Sequence, residues 1–101
     1  MKCYVFVYGT LCDAKVQKQV LGYEPSSSHN AITGFRLERI ELDNIHYPIM
    51  VQYPLSETRI SGLCLEINDD DLLLLDDYET SAYRRIRVKL ADGFRAWMYC
   101  K

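Results

Sequence analysis

The order of the predicted elements along this 101-residue chain indicates an α+β fold: a strand, a helix, several strands, a second helix and a closing hairpin. Two helices are too few to cover both faces of a sheet, which argues against a doubly wound parallel fold. The length suffices for one core, so residues 1–101 are expected to form a single domain. We therefore expect a curved, largely antiparallel sheet or small β-barrel with two or so flanking helices.

The first strand leads into a turn that is a candidate binding element. Residues 3–8 are almost all β-branched or aromatic, which is typical of a central strand covered on both faces. Gly9 permits a positive φ or a close backbone approach. Asp13 is a candidate N-cap for a short amphipathic helix that ends at Gly22. The turn thus leads to a helix start, where free backbone N–H groups attract an anion.

The middle of the chain reads as strands joined by short loops. In order, the pattern predicts a surface loop over 25–28, one or two strands over 31–42, a turn at 43–44, a strand over 45–51 and a long strand over 58–67. Gly34 marks a bend. Pro48 marks an edge, a bulge or a strand start, because proline cannot donate to a ladder. Gly62 indicates a close approach of another group to the last of these strands.

A helix and a hairpin complete the chain. Asn68 and Asp69 can cap the helix, and the four leucines over 72–75 are expected to bury much of its surface. Asp76 and Glu79 lie three residues apart, so a helix carries them on one side. Strands over 83–90 and 93–100 flank Asp92-Gly93, a strong hairpin signal. Side chains alternate along a strand, so at most one of Arg84 and Arg85 faces a given pocket.

Charge and cysteine spacing argue against several classes of protein. The net charge is −2 and the isoelectric point is about 5.6, whereas proteins that bind nucleic acid by phosphate neutralisation are usually basic. The four cysteines contain no C-x-x-C pair, and His29 and His46 have no acid or cysteine at ligand spacing. We therefore expect neither a metal site nor a thioredoxin-type redox motif. The count of cysteines leaves disulfides open, although Cys3, Cys64 and Cys100 lie in strand-like stretches where a free cysteine acts as a small buried apolar residue.

The N-terminal apolar run is interrupted by Tyr8 and Gly9 and has no cleavage site, so neither a signal peptide nor a membrane-spanning helix is expected. Cytoplasmic surroundings follow as the expectation.

Glu79 is the most informative acid, because it follows an apolar helix and precedes a predicted buried strand. It is either a general base whose pKa is raised by desolvation or a solvated residue at a helix end, and position alone leaves both open. The tyrosines at 47, 78, 83 and 99 can line a pocket, although most of them are expected to be core packing. Cys12, near the first helix start, is an alternative nucleophile without a partner at motif spacing.

Taken together, several stretches resemble the γ-glutamylcyclotransferase superfamily, especially its AIG2-like branch, which includes γ-glutamylamine cyclotransferase. The resemblance covers nearly the whole chain. Its marks are Phe6-Val7-Tyr8-Gly9-Thr10-Leu11, Tyr47-Pro48, Gly62 with Leu65 and Ile67, Leu75-Asp76-Asp77-Tyr78-Glu79, Tyr83 with Arg85, and Ala96-Trp97-Met98-Tyr99.

The resemblance implies a small mixed fold built around a β-barrel and a site for a small γ-glutamyl molecule. It implies that Glu79 is the catalytic acid and base. The residues that it implies for substrate binding are Tyr8, Gly9, Thr10, Leu11, Tyr47, Tyr83 and Arg85.

In the implied reaction, the substrate's α-amine attacks its own γ-carbonyl, which gives 5-oxoproline and releases an amine or an amino acid. Neither a metal nor a cofactor has a role in this chemistry. The alternative is a non-catalytic module that binds a metabolite or a protein through the same pocket.

Overall fold

The computed structural model describes residues 2–101. In chain order the elements are β1 Lys2–Val7, a 3₁₀ turn Thr10–Cys12, α1 Ala14–Leu21, β2 Ser27–Ile32, β3 Phe35–Leu42, β4 Ile45–Gln52, β5 Ile60–Asn68, α2 Asp69–Glu79, β6 Arg84–Lys89 and β7 Arg95–Cys100. This order confirms the predicted α+β class.

Five strands form one sheet in the order β2-β5-β1-β7-β6, and β3 and β4 form a separate two-stranded ribbon. Strand β1 is antiparallel to β5 and parallel to β7, so it occupies the predicted centre of the sheet. The two faces of β1 are both covered: Val5 and Val7 pack in one apolar cluster, and Phe6 packs in the other. Burial on both faces explains why the strand sequence is apolar almost throughout.

Of the two expected forms, a curved sheet or a small β-barrel, the curved sheet is the one found, because the sheet is curled but does not close into a barrel. Strands β2 and β6 are its two edges and do not pair with each other. A hydrogen bond from Ala91 N to the Ala31 carbonyl (2.8 Å) joins the two edges beyond the end of β6. The ribbon lies against the sheet, where Lys101 N donates to the Met50 carbonyl at 2.9 Å.

Both helices begin as the sequence predicts. The Asp13 side chain accepts a hydrogen bond from Lys15 N at 2.8 Å, and Gly22 ends α1 with a φ of 85°. In α2, Asn68 N donates to Asp71 at 3.2 Å. Acidic residues fill the first turn of α2, where the helix dipole favours negative charge.

The prediction that the four leucines bury much of the surface of α2 is only half right. Leu72 and Leu75 are buried, whereas Leu73 is 65% exposed and Leu74 is 44% exposed. A helix that packs with one face against the sheet can bury only residues three or four apart.

The predicted loop over 25–28 also needs correction, because Ser27 and Ser28 begin β2 and pair with Leu65 and Cys64 of β5. Their side chains are exposed, which explains their polar character at a sheet edge. The turn at Asp43 (φ 52°) and Asn44 (φ 65°) is confirmed and joins β3 to β4.

Pro48 and Gly62 both occupy the kind of position that the sequence predicted for them. Pro48 lies within β4, on a ribbon outside the main sheet. At Gly62 an added Cβ would collide with the Val7 carbonyl and come within 2.7 Å of the Phe6 ring, which confirms a close approach. Within residues 2–101, neither helix is long and apolar enough to cross a membrane.

Candidate active site

A cleft lies where the turn after β1 meets the last turn of α2. Its walls come from that turn, from Tyr47 and Pro48 of β4, from Glu79, and from Tyr83 and Tyr99. The free space inside is about 40 Å³, well below the roughly 300–1,000 Å³ of ordinary ligand pockets. The cleft as it stands admits only one end of a small molecule.

An outer cleft of about 240 Å³ adjoins this inner cleft. The two share Thr10, Tyr47, Glu79 and Tyr83 as lining residues. Leu42, Asp43, Tyr78 and Thr80 line only the outer cleft. Glu79 therefore stands at the junction of a narrow inner space and a wider outer one.

Glu79 is the last residue of α2 and is partly buried. Its carboxylate has no hydrogen bond or ion pair within the described part of the chain, and burial alone raises its pKa from 4.5 to about 7. A carboxyl group with such a pKa exchanges protons near neutral pH. Of the two interpretations that the sequence left open, the structure favours the desolvated acid over the solvated one.

The backbone just after Glu79 is strained. Thr80 has a φ of 61° and a ψ of −175°, a combination that is nearly confined to glycine and costs on the order of 1–3 kcal/mol. Thr80 N donates to the Asp76 carbonyl at 3.2 Å, and the Thr80 carbonyl accepts from Tyr83 N at 3.4 Å. This tight turn ends α2 and returns the chain so that Tyr83 enters the same cleft as Glu79.

The opposite wall is the turn that contains Gly9, Thr10 and Leu11. Hydrogen bonds within the turn run from Cys12 N to the Gly9 carbonyl (3.0 Å) and from Asp13 N to the Thr10 carbonyl (3.1 Å). The N–H groups of Thr10 and Leu11 have no partner within the turn, as at any helix start. Gly9 has a negative φ of −125°.

The sequence left two roles open for Gly9, a positive φ or a close backbone approach, and the structure shows the close approach. An added Cβ would lie 3.1 Å from Pro48 Cγ, so glycine lets β4 reach the turn.

Two tyrosine hydroxyl groups brace the inner cleft. Tyr8 donates to the Tyr99 carbonyl at 2.6 Å and accepts from Met50 N at 3.1 Å, and burial raises its pKa far above the usual value. Tyr83 donates to the Pro48 carbonyl at 3.0 Å. Burial, and then the Glu79 carboxylate, raise the pKa of Tyr83 to about 12. Both hydroxyl groups stay neutral and fix the walls of the cleft.

A third hydroxyl contact joins the two sides at the rim. Thr10 Oγ1 and the Tyr78 hydroxyl lie 2.7 Å apart, and both side chains are exposed. All four tyrosines line a cleft: Tyr47, Tyr83 and Tyr99 the inner one, and Tyr78 the outer one. Tyr83 and Tyr99 also pack with the apolar cluster around Val5 and Leu75, so the expected packing role holds for these two.

Two sequence-predicted candidates lie outside the cleft. Arg85 lies behind it, in an ion pair with Asp76 (Nε to Oδ1, 3.1 Å) and over the ring of Trp97. Cys12 is partly buried, and its thiol donates to the Val7 carbonyl at 3.4 Å. Burial raises the pKa of Cys12, which opposes the thiolate that a nucleophile needs.

The structure brings together all the other predicted residues: Tyr8, Gly9, Thr10, Leu11, Tyr47, Tyr83 and Glu79. Pro48 was not predicted to line the site, and its adjacency to Tyr47 was the available signal. Among residues 2–101, no three His, Cys, Asp or Glu side chains are grouped so that they could hold a metal ion.

This arrangement defines a class of protein. It is an α+β protein with a narrow cleft that is lined by one desolvated acid, Glu79, and by the turn after β1.

The family model described as gamma-glutamyl cyclotransferase, AIG2-like, matches residues 5–101. An AIG2-like protein D from Arabidopsis thaliana is 32% identical over 92 residues, which cover 88% of this chain and 58% of that protein. The chain therefore spans less than two thirds of the length of this relative.

Solved structures share the fold. A solution structure from Arabidopsis thaliana has a TM-score of 0.79 and 27% identity, and the match covers 98% of this chain and 68% of that one. A structure described as gamma-glutamyl cyclotransferase has a TM-score of 0.83 at 16% identity, with 99% and 66% covered. The chain belongs to the AIG2-like gamma-glutamyl cyclotransferase family.

Proposed function

We propose that this chain is a γ-glutamyl cyclotransferase that acts on a small γ-glutamyl amine or dipeptide. It releases 5-oxoproline and the attached amine or amino acid, and Glu79 is the general acid and base. The observation that carries the proposal is the partly buried Glu79 carboxylate, which has no hydrogen bond or ion pair with the described residues and lines the same cleft as Gly9, Thr10 and Leu11.

The proton transfers of this reaction require such a group. The α-nitrogen enters as an ammonium with a pKa near 8, and it must lose a proton before it can attack the γ-carbonyl carbon. A new carbon–nitrogen bond closes the five-membered ring while the bond to the leaving nitrogen breaks. Two protons leave the α-nitrogen in all, and the leaving nitrogen gains two.

Glu79 is suited to transfer these protons one at a time. An ordinary glutamate, with a pKa of about 4.3, is a poor match for an amine near 8. The pKa of about 7 at Glu79 brings acid and amine close to each other, so transfer is efficient in both directions.

The turn opposite Glu79 supplies the complementary binding element. The free N–H groups of Thr10 and Leu11 can donate to the α-carboxylate of the substrate. We infer that the γ-glutamyl end occupies the inner cleft. The leaving group then occupies the outer cleft, and the bond to be broken lies at the junction beside Glu79.

The test is a screen for 5-oxoproline release from γ-glutamyl amines and dipeptides, with Glu79→Gln as the key variant. Glutamine keeps the shape and removes the base, so we expect turnover to fall at least about a hundredfold. Ligand binding, measured as a rise in melting temperature, should persist. Glu57→Gln is the matched control, because Glu57 is exposed and lies away from the cleft. Unchanged product release by Glu79→Gln would refute the assignment.

One observation favours a second candidate, a non-catalytic binding module. The inner cleft of about 40 Å³ is small, and the contact between Thr10 and Tyr78 narrows its rim. If no γ-glutamyl compound yields product while one of them still raises the melting temperature, the binding module is the correct interpretation.

We also propose a cytoplasmic location. The four cysteines, Cys3, Cys12, Cys64 and Cys100, are all free thiols in the fold, which is typical of proteins that work in a reducing compartment.

A further inference from the structure

We propose that Arg85 is a positioning residue: through Asp76 and Tyr99 it holds the last turn of α2, and thereby the Glu79 carboxylate, against the turn after β1. This inference rests on the proposed function, because positioning matters only if Glu79 acts on a substrate. It differs from the substrate-binding role that the family resemblance implied for Arg85.

The position of Glu79 must be set by its helix rather than by its own contacts. Its carboxylate has no hydrogen bond or ion pair with the described residues. Asp76 lies one turn earlier on the same side of α2, so an anchor on Asp76 acts directly on the end of the helix. Beyond Glu79 the helix stops at the strained Thr80. Tyr78 is bound to Thr10 only at the exposed rim, so Asp76 is the nearest residue that hydrogen-bonds this end of the helix to the sheet.

The Asp76 carboxylate is held on both oxygens. Arg85 Nε lies 3.1 Å from Oδ1, and Arg85 Nη2 donates to Oδ2 at 3.3 Å. The Tyr99 hydroxyl donates to Oδ1 at 2.6 Å. A forked guanidinium contact fixes direction as well as distance, so the carboxylate and the helix turn that carries it have one preferred orientation.

Arg85 is in turn held by the sheet. Its guanidinium carbon lies 4.4 Å from the centre of the Trp97 ring, a cation–π distance. Arg85 is also paired with Tyr99 across β6 and β7. The anchor of α2 is therefore the sheet itself.

Tyr99 extends the same network to the other half of the site. Its carbonyl accepts the hydrogen bond from Tyr8, the residue directly before Gly9. The strand that holds Asp76 is thus hydrogen-bonded to the residue that begins the turn. One continuous set of contacts thus joins the end of α2 to the turn that lines the same cleft as Glu79.

A direct role for Arg85 at the substrate does not fit its position. It lines an open surface depression with Asp76 and Trp97, and it does not line either cleft that Glu79 faces.

The decisive comparison is Arg85→Lys against Arg87→Lys. Both guanidinium groups lie over Trp97, at 4.4 and 4.8 Å from the ring centre, but only that of Arg85 contacts Asp76. Lysine keeps the charge and loses the fork. We expect Arg85→Lys to lower kcat at least about tenfold and to change KM less than about threefold, because misplacement of a reacting group affects the chemical step. Arg87→Lys should change neither value more than about twofold.

A second readout does not depend on turnover: the titration of the Glu79 carboxyl carbon followed by ¹³C NMR. If Arg85→Lys lets Glu79 move toward water, its pKa falls from about 7 toward the ordinary value, whereas Arg87→Lys leaves it in place. Lysine keeps a cation near Asp76, so a fall reports geometry rather than lost charge. The titratable groups that face Glu79 or line the same clefts are Tyr8, Tyr47, Tyr78, Tyr83, Tyr99 and Asp43.

The outcomes separate the two proposals. If the parent chain releases no product from any γ-glutamyl compound, the proposed reaction fails, and the titration still decides whether Arg85 positions Glu79. An unchanged kcat in Arg85→Lys, or an unchanged Glu79 titration, overturns the positioning role. If Arg85→Lys does not fold, Tyr99→Phe replaces it, because that change removes one hydrogen bond to Asp76 and keeps the ring in the cleft.

Discussion

Replacing Glu79 by glutamine should make the chain more stable at neutral and alkaline pH while it lowers the proposed turnover at least about a hundredfold. The ionised carboxylate is partly buried without a counter-ion, so the folded state bears an electrostatic cost that glutamine removes. This prediction needs no substrate. It tests the central feature of the site by itself.

The sign and the size of the effect follow from the pKa. Because folding raises the pKa of Glu79 from 4.5 to about 7, the folded state binds this proton more tightly than the unfolded state does. The stability that the folded state gains by binding this proton is fully present below about pH 4.5, and it is lost as the pH rises through about 7. At about 1.4 kcal/mol per pH unit, and with some screening at the mouth of the cleft, the loss is about 2–3 kcal/mol.

The measurement is urea unfolding of the parent and of Glu79→Gln from pH 4 to pH 8.5. The difference in the free energy of unfolding should be near zero at pH 4, should grow between pH 4.5 and 7, and should level off at about 2–3 kcal/mol in favour of glutamine. Glu57→Gln, at an exposed position, should show no such pH-dependent difference. A constant difference across the pH range would show that Glu79 is solvated and would remove the physical basis of the proposed mechanism.

Two further substitutions test the framework around the site. Gly62→Ala should lower the free energy of unfolding by about 1–3 kcal/mol in urea titrations, because the new Cβ collides with the Val7 carbonyl, whereas Ser61→Ala at the exposed neighbour should have little effect. Tyr8→Phe should lower the free energy of unfolding by about 1–3 kcal/mol in the same assay, because the buried Tyr99 carbonyl and the buried Met50 N–H group lose the Tyr8 hydroxyl as a hydrogen-bond partner. Tyr53→Phe is the control, because Tyr53 is half exposed. If a variant and its control change the free energy of unfolding equally, the contact proposed to explain the effect of that variant is wrong.

Local signals predicted most of the fold. The Asp13 cap, the Gly22 helix end and the turn at Asp43-Asn44 each depend on a few neighbouring residues, and each is found where it was expected. Burial of β1 on both faces was visible in the same way, since an apolar strand with little alternation needs cover on each side. Such features can be predicted from the sequence because the residues that cause them lie within a few positions of the feature itself.

Features that depend on contacts between distant parts of the chain could not be predicted from the sequence. Closure of the sheet depends on whether β2 meets β6, and these strands are far apart in sequence. The exposure of Leu73 depends on which face of α2 meets the sheet. For Arg85, alternation limits which pocket it can face, but only the fold shows that Asp76 and Trp97 hold it behind the cleft.

The end of α2 gathers several features that lower stability, and their coincidence supports a functional site. Glu79 is desolvated without a partner, and the next residue, Thr80, has a backbone conformation that costs on the order of 1–3 kcal/mol. Across the cleft, the N–H groups of Thr10 and Leu11 have no partner in their turn. A glutamate kept only for structure would be paired or solvated, because neither arrangement carries this cost. An unpaired acid and unpaired donors in the walls of one cleft are what the proposed γ-glutamyl substrate requires, because its α-carbon carries an amine and a carboxylate.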